Sequence, residues 1–379
     1  MQKKWRYIDE RDVSASYGLA VDEFLMHNVV REEYPFEANL RLYNYADYSA
    51  LCGRFQNLQA EIDIDRCKAL GYGVGRRLTG GGAIIMGRDQ LGLCLTIPAH
   101  ILPFHTTRTL YHLFARPVLS ALKKMGITAG FKSKNDLEVG GKKIAGLGVH
   151  IDVAGSVQFH TSLLVDLDVL SMLEVLKIPI QKYDDRKKIF SVNQRMTTVR
   201  READRRYEMA EIKQIIKEAF ADAFDVFYEE KGISVSEKKQ IHQLELDRYK
   251  NVDWLLQHSP QEDMTGMSLH KTVGGLLRTY IGLKGETIKS VLITGDFIGQ
   301  VDLFRTIEAR LKWAPLDAEF IHQTIDTAYT DYKEDDIAIS QEDLAHAILL
   351  AARKAKTVLD YHYDGSCYYP KHKREYHGS

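Results

Sequence analysis

A lysine and a neighbouring amide–carboxylate pair are the residues of this sequence whose types and spacing suit phosphate chemistry. Asn135 and Asp136 stand side by side, and Lys143 follows within the segment 134–148, KNDLEVGGKKIAGLG. The apolar residues after Lys143 predict the beginning of a strand, and an ammonium group on a strand is a fixed point charge for phosphate or carboxylate. The carboxylate oxygens of Asp136 suit Mg²⁺. The alternative is a plain hairpin, which turns at its two glycines and leaves its lysines in solvent.

Three consecutive glycines, Gly80, Gly81 and Gly82, interrupt a strand-like segment at 76–85, RRLTGGGAII. Glycine is unfavourable in a strand because it loses much backbone entropy and has no side chain to pack. It is useful where a ligand must approach the backbone closely. The spacing matches neither of the two common phosphate-binding loops, G-x-x-x-x-G-K-[ST] and G-x-G-x-x-G. The residues that follow are strand-like rather than helical. The glycines therefore predict a groove along a sheet for a long, thin ligand. A bulge or a close strand–helix contact is the alternative.

The elements that must position these residues are predicted from the apolar periodicity. Amphipathic helices are predicted at 16–26, 106–126, 210–224, 302–311 and 340–355. Strands are predicted on either side of an Ala-Asp turn in 40–55 and of a Lys-Gly turn in 275–297. Residues 229–263 are charged and lack a strong apolar period, which indicates a helical or loose connector.

Composition excludes several classes of protein. The chain has 379 residues, which favours more than one domain, and its net charge of -1 argues against a dedicated nucleic-acid or membrane-surface binder. No apolar run is long enough to span a membrane, and the charged N-terminus is unlike a secretory signal. The cysteines are not arranged in C-x-x-C pairs, so we expect a reduced, cytoplasmic protein. They are Cys52, Cys67, Cys94 and Cys367.

Together, the arginine–glycine segment and the lysine segment resemble two motifs of the lipoate–protein ligase family. RRLTGGGAI is followed by NDLEVGGKKIAG in the order that the family shows. Further segments are similar to family motifs, and they are GRFQNLQAEI at 53–62, FHTSLLVDLDVLSML at 159–173 and FSVNQRMTTV at 190–199. Residues 270–297 resemble the accessory C-terminal domain of the larger ligases. The resemblance covers residues 14–330.

The resemblance implies an α+β fold. A mixed, largely antiparallel sheet flanked by helices is expected, as in the catalytic domain of biotin and lipoate ligases, followed by a small α/β accessory domain. The predicted boundaries are a catalytic domain at 1–228, a connector at 229–263, an accessory domain at 264–338, a terminal helix at 339–360 and a mobile tail at 361–379.

The resemblance also implies a reaction. Lipoate and ATP give lipoyl-AMP and pyrophosphate, and the lipoyl group then passes to a lysine of an acceptor protein. Because lipoate and ATP are both anions, the reaction needs cations and donors between them. By resemblance, Lys143 is the catalytic residue that touches the lipoyl carboxylate and the α-phosphate. Asn135 and Asp136, with Lys143, are assigned to the nucleotide, and Asp136 to Mg²⁺.

Lipoate itself is assigned by resemblance to the glycine segment and its surroundings. The substrate-binding residues implied are Arg77, Gly80, Gly81, Gly82, Gly146 and His160. A lone histidine is more often structural, which is the alternative for His160. The chain departs from the family just after the glycines, where many members have His-Asp and this chain has Met86 and Gly87. The role that His-Asp has in the family is therefore not assigned to Met86 and Gly87.

Three other functions are weighed against the ligase. Octanoyltransferases that use a carrier protein share the fold, but they need a nucleophilic cysteine near the lysine segment. No cysteine lies between Cys94 and Cys367, and Cys94 stands in an apolar strand, where we expect a small core residue. A non-catalytic lipoyl-binding module is disfavoured because Lys143 is present. A biotin ligase has a different spacing in its arginine–glycine loop.

The implied partners are lipoyl-acceptor proteins. They include E2 subunits of 2-oxoacid dehydrogenases, the H protein of glycine cleavage and other lipoate-binding proteins. No nucleic-acid or membrane partner is expected. The sequence leaves open the acceptor, the preference for lipoate or octanoate, and the oligomeric state.

Overall fold

The chain divides into two compact units. The computed structural model describes residues 3–103, 106–131, 135–177, 194–299, 301–332 and 338–360. The first unit comprises the chain up to Ser259 together with Asp296–Gly299, and the second comprises Pro260–Gly295 and the chain from Gln300 onward. Residues 296–299 therefore belong to the first unit, although they follow strands of the second. The division into catalytic, connector and accessory parts stays a prediction.

Two sheets form the framework of the first unit. Its strands are β1 (Lys3–Val13), β2 (Ala38–Tyr45), β3 (Ser49–Cys52), β4 (Gly73–Arg76), β5 (Ile84–Met86), β6 (Gln90–Pro98), β7 (Gly130–Phe131), β8 (Asp136–Val139), β9 (Lys142–Ile151), β10 (Ser156–Leu164) and β11 (Val226–Glu230). The large sheet has the order β11-β1-β2-β6-β10-β9-β8-β7, and the small one has the order β4-β3-β5. In the large sheet β1 runs parallel to β2 and β11, and the other neighbours are antiparallel. The predicted fold class is confirmed.

Helices pack against both sheets of this unit. They are α1 (Ala15–Asn28), α2 (Leu58–Glu61), α3 (Ile64–Leu70), α4 (Thr107–Lys124), α5 (Val169–Val175), α6 (Val199–Glu202), α7 (Met209–Phe224), α8 (Val235–Leu244) and α9 (Val252–Leu256). A 3₁₀ turn at Ala99–Ile101 and a π-helix at Glu245–Tyr249 complete the described helical segments of this unit. Among the described residues, no helix is both long and apolar enough to cross a membrane.

Strand β6 shows how the layers are arranged. Leu91, Leu93, Leu95 and Ile97 belong to the apolar core that includes α4 and α7, whereas Cys94 belongs to the core that includes α1. Successive side chains of a strand point to opposite faces, so this alternation places helices on both faces of the sheet. Burial on both faces explains why every residue of β6 is buried.

The second unit has an antiparallel sheet and, in its described residues, three helices. Its strands are β12 (Gly266–Lys271), β13 (Leu276–Lys284), β14 (Thr287–Gly295) and β15 (Ala314–Pro315), paired in that order. Its helices are α10 (Val301–Leu311), α11 (Ala318–Asp331) and α12 (Gln341–Asp360). The chain turns between β13 and β14 at the predicted Lys-Gly pair, where Gly285 has a φ of 57°. That left-handed conformation suits glycine, which has no Cβ to clash.

The charged segment 229–259, predicted as part of a connector, is part of the first unit. Strand β11 extends the large sheet by pairing with β1. The guanidinium of Arg6 donates to both carboxylate oxygens of Glu237 in α8, at 2.6 and 3.0 Å. The hydroxyl of Tyr249 donates to Glu23 at 2.8 Å. Polar contacts, together with Ile241 and Tyr249 in the core that includes α1, fix this segment.

Candidate active site

The predicted lysine and carboxylate meet in the hairpin of β8 and β9. The Nζ atom of Lys143 lies 2.7 Å from Oδ1 of Asp136, and each side chain is 26% exposed. Gly140 and Gly141 form the turn with φ values of 55° and 80°. The hairpin expected from the glycines and the cation expected from the lysine are therefore both present. Partial exposure leaves the ammonium accessible to an anionic ligand.

Gly146 makes room for the lysine side chain. A Cβ atom at Gly146 would lie 3.0 Å from Nζ of Lys143 and 3.2 Å from Oγ of Ser162. A larger residue here would push the ammonium away from Asp136. The direct role of Gly146 in substrate binding stays a prediction.

The structure brings the glycine segment against the lysine hairpin. The side-chain nitrogen of Asn135 donates to the carbonyl of Leu147 at 2.9 Å, which fixes the amide beside β9. A Cβ atom at Gly81 would lie 3.4 Å from that nitrogen and 3.8 Å from a terminal nitrogen of Arg77. The two motifs, distant in sequence, therefore lie side by side in the structure.

Each of the three positions in the glycine run has its own structural reason to be glycine. A Cβ atom at Gly80 would overlap the carbonyl oxygen of Phe297. Gly81 has a φ of 94°, which L side chains rarely adopt. Beside Gly82 there is space, since the nearest described atom to its Cβ position is the Cβ of Asp296 at 3.9 Å. The sequence indicated a ligand at all three positions, whereas at Gly80 the protein's own backbone excludes a side chain.

Arg77 is buried beneath this loop. Its terminal nitrogens donate to the carbonyls of Leu51 at 2.8 Å and Gly82 at 2.9 Å. Its Nε atom is buried without a hydrogen-bond partner among the described residues. Burial lowers the pKa of this guanidinium. Arg77 therefore holds the loop and also places a positive charge under it.

His160 is a neutral group at physiological pH. It lies on β10 opposite Gly148, with its Nε2 atom 3.2 Å from the hydroxyl of Thr79. Burial, followed by the charge of Arg77, lowers the pKa of His160 to about 3. A Cβ atom at Gly148 would lie 2.5 Å from the imidazole Nε2. Gly148 was not predicted from the sequence, although Gly146 and Gly148 alternate along one strand.

The second half of the 190–199 segment also lies at the site, whereas its first half, up to residue 193, is outside the described residues. The backbone N–H of Thr197 donates to the carbonyl of Lys143 at 2.8 Å. This hydrogen bond supports the beginning of β9, where Lys143 lies.

The residues in place of the family's His-Asp pair have a packing role. Met86 is buried at the end of β5. A Cβ atom at Gly87 would lie 2.7 Å from a ring carbon of Tyr48. Glycine is therefore needed there for contact with the tyrosine ring.

The cysteines in the described part of the chain are buried. They are Cys52, Cys67 and Cys94, and Cys367 lies outside the described residues. Burial raises the pKa of all three thiols, that of Cys67 to about 11. A nucleophilic cysteine needs an accessible thiolate, and these thiols are protonated and enclosed.

Asp136 is the residue predicted to hold Mg²⁺. Among the described residues there is no group of three or more His, Cys, Asp or Glu side chains arranged to hold a metal. Mg²⁺ at nucleotide sites commonly takes one or two carboxylates and completes its shell with phosphates and water. Asp136 can supply one such carboxylate. Its binding of Mg²⁺ stays a prediction.

Comparison with known families identifies the fold around this site. Residues 14–221, more than half of the chain, match the family model described as the lipoyl protein ligase A/B catalytic domain. The chain belongs to this family. The predicted family is therefore confirmed. The matched range contains both the glycine loop and the lysine hairpin.

Individual relatives carry two different names. Lipoate-protein ligase LplJ of Bacillus subtilis is 25% identical over 78% of this chain and 86% of its own length. Octanoyltransferase LipM of Macrococcus caseolyticus is 24% identical over 67% of this chain and 99% of its own length. The crystal structure of P. falciparum LipL1 in complex with lipoate has the same fold, with a TM-score of 0.71 at 16% identity, covering 91% of this chain and 99% of that one. Ligases and transferases thus share this family.

Proposed function

We propose that the protein is an ATP-dependent lipoate–protein ligase, which forms lipoyl-AMP and transfers the lipoyl group to a lysine of an acceptor protein. One observation carries the proposal. The Lys143 ammonium is held 2.7 Å from Asp136, on a hairpin whose neighbouring Asn135 lies beside the glycine loop, and the buried Arg77 holds that loop. Two anions have to react with each other in the first step, and this site offers fixed positive charge.

In the first step, a carboxylate oxygen of lipoate attacks the α-phosphorus of ATP, and pyrophosphate leaves. Lys143 would contact both the carboxylate and the α-phosphate, and it would neutralise negative charge as it accumulates on the phosphate. A Mg²⁺ ion, when bound through Asp136, would neutralise further phosphate charge. His160 adds no charge, because its low pKa keeps it neutral.

In the second step, the amine of an acceptor lysine attacks the acyl carbon of lipoyl-AMP. The amide forms, AMP leaves, and the amine loses a proton. The phosphoanhydride of ATP supplies the driving force, so the acyl group does not need to rest on an enzyme thiol. We propose acceptors with lipoyl domains, such as E2 subunits and the H protein, in a cytoplasmic setting. Incubation with lipoate, ATP and a panel of apo-acceptors, followed by mass measurement, identifies the acceptor.

Removal of all cysteines distinguishes the ligase from the transferase. We expect that replacing Cys52, Cys67 and Cys94 by Ala and Cys367 by Ser leaves ATP-dependent lipoylation largely intact, because the proposed reaction has no thioester. Each buried replacement opens a small cavity and lowers stability by roughly 1 kcal/mol. The measurement is the mass of an apo-acceptor after incubation with lipoate and ATP.

Omission of ATP is the companion measurement. Neither the natural protein nor the cysteine-free variant should then attach free lipoate. If octanoyl carrier protein modifies the acceptor without ATP, and the cysteine-free variant loses this activity, the protein is a transferase and the proposal is wrong.

Gly82 tests where the acyl chain lies. Its Cβ position has free space, so Gly82→Val should fold normally, with a melting temperature within about 3 °C of the natural protein. A valine would fill space needed by the ligand, and we expect lipoate affinity to fall about tenfold, or 1.4 kcal/mol. Isothermal calorimetry measures the affinity. The matched control is Gly232→Val, since no described atom lies within 4 Å of its Cβ position. Normal lipoate affinity in Gly82→Val would place the acyl chain elsewhere.

A further inference from the structure

Phe297 is an aromatic residue that reaches the glycine loop from far along the chain. It follows β14, yet it belongs to the first unit, and its side chain is 2% exposed. Its ring stacks on Phe55, with ring centroids 5.4 Å apart and an angle of 5° between the planes. Stacked rings with this much burial hold each other in one place.

The backbone of the same residue contacts the glycine loop directly. The N–H of Gly81 donates to the carbonyl of Phe297 at 3.3 Å. A Cβ atom at Gly80 would overlap this carbonyl oxygen and would lie 3.2 Å from the Cα of Ile298. The absence of a side chain at Gly80 is therefore what permits the contact.

Phe55, on which the ring stacks, stands on a rigid segment. Arg76 is fully buried, and one of its terminal nitrogens donates to the carbonyls of Gly53 at 3.0 Å and Gln56 at 2.7 Å. The side chain of Gln56 in turn accepts from the backbone N–H of Gly53 at 2.8 Å. Phe297 thus lies between a fixed aromatic platform and the glycine loop.

We infer that Phe297 is a positioning residue for the glycine loop: its ring, anchored on Phe55, holds its carbonyl where the Gly81 N–H binds it. The loop is thereby fixed in the conformation against which the acyl chain lies, a consequence that rests on the proposed function. A chain truncated after Ser259 would lose this contact together with the second unit. Truncation would therefore affect lipoate binding as well as any contribution of the second unit.

The test uses Phe297→Ala in the full-length protein. Without the ring, the carbonyl is no longer held, and amide hydrogen exchange at residues 80–82 should become faster, which mass spectrometry detects. A loop that is misplaced by about 1 Å weakens substrate positioning. We therefore expect KM for lipoate to rise about tenfold, with kcat changed less than about twofold.

Two variants provide the controls. Phe297→Tyr keeps the stacked ring and should restore slow exchange and a normal KM. Phe220→Ala removes an equally buried phenyl ring from the core that includes α4 and α7, and it should leave exchange at 80–82 unchanged. If either alanine variant fails to fold, Phe297→Leu and Phe220→Leu form the same matched pair.

The outcomes separate this inference from the proposed function. Unchanged exchange at 80–82 in Phe297→Ala, or an equal increase in Phe220→Ala, overturns the positioning role. Faster exchange confined to the Phe297 variant supports that role even if the natural protein neither binds lipoate nor releases pyrophosphate. In that case the proposed function is wrong, while the contact of Phe297 with the loop stands.

Discussion

Replacing Lys143 by Met is expected to lower lipoate-dependent pyrophosphate release by on the order of 10³-fold, the usual cost of removing one preorganised charge-stabilising donor. The fold should be retained, because the side chain is partly exposed and its ion pair with Asp136 contributes at most about 1 kcal/mol. The measurement is the rate of pyrophosphate release with lipoate and ATP. Thermal unfolding of the same samples verifies that the variant is folded.

The neighbouring lysine is a matched control. Lys142 begins the same strand, its side chain is exposed, and successive strand residues point to opposite faces. Lys142→Met removes the same charge from the same strand, yet it should change the rate less than about twofold. Near-normal pyrophosphate release in Lys143→Met would remove this lysine from the mechanism. An equal loss in both variants would indicate a general charge effect instead of a specific contact.

The features that the sequence predicted best are those formed by neighbouring residues. The hairpin with Lys143 and Asp136 is built from a single segment, so its turn glycines and its strand pattern are visible in the sequence. The turn between β13 and β14 is equally local. Local geometry of this kind depends on the residues of the turn and on the alternation of side chains between the two faces of each strand.

The purpose of the glycines was predicted only in part. Consecutive glycines indicate that something approaches the backbone closely, but they do not tell which group approaches. At Gly80 that group is the carbonyl of Phe297, and at Gly53 it is the carbonyl of Gly81. Both partners come from other parts of the chain, so their identity depends on tertiary structure.

Segment 229–259 shows a second limit of sequence patterns. Its packing onto the first unit uses buried or half-buried polar pairs, such as Arg6 with Glu237 and Tyr249 with Glu23. Apolar side chains contribute as well, since Ile241 and Tyr249 belong to the core that includes α1. Charged and polar residues surround them in the sequence, which weakens the apolar period. The sequence indicated a helical or loose connector, and the structure has a helix at Val235–Leu244, while the boundaries of the connector stay a prediction.

Gly53 is the position where a single methyl group should have the largest effect on stability. We expect Gly53→Ala to lower the free energy of unfolding by about 2–3 kcal/mol, in the range of overpacked cores, and the melting temperature by about 5–10 °C. The added Cβ would overlap the carbonyl oxygen of Gly81, which is backbone and cannot rotate away as a side chain can. Urea unfolding and calorimetry measure the two quantities.

Neither side of this contact can move without breaking hydrogen bonds. Gly53 is held by the side chains of Gln56 and Arg76, and the loop that includes Gly81 is held by Phe297 and Arg77. The control is Gly232→Ala, whose Cβ would meet no described atom within 4 Å and which should change stability by less than about 0.5 kcal/mol. Since the overlap would push the Gly81 carbonyl outward, Gly53→Ala should also weaken lipoate binding below its unfolding temperature. A Gly53→Ala protein as stable as the Gly232→Ala control would mean that the two loops are not in contact, and the arrangement of the site would have to be revised.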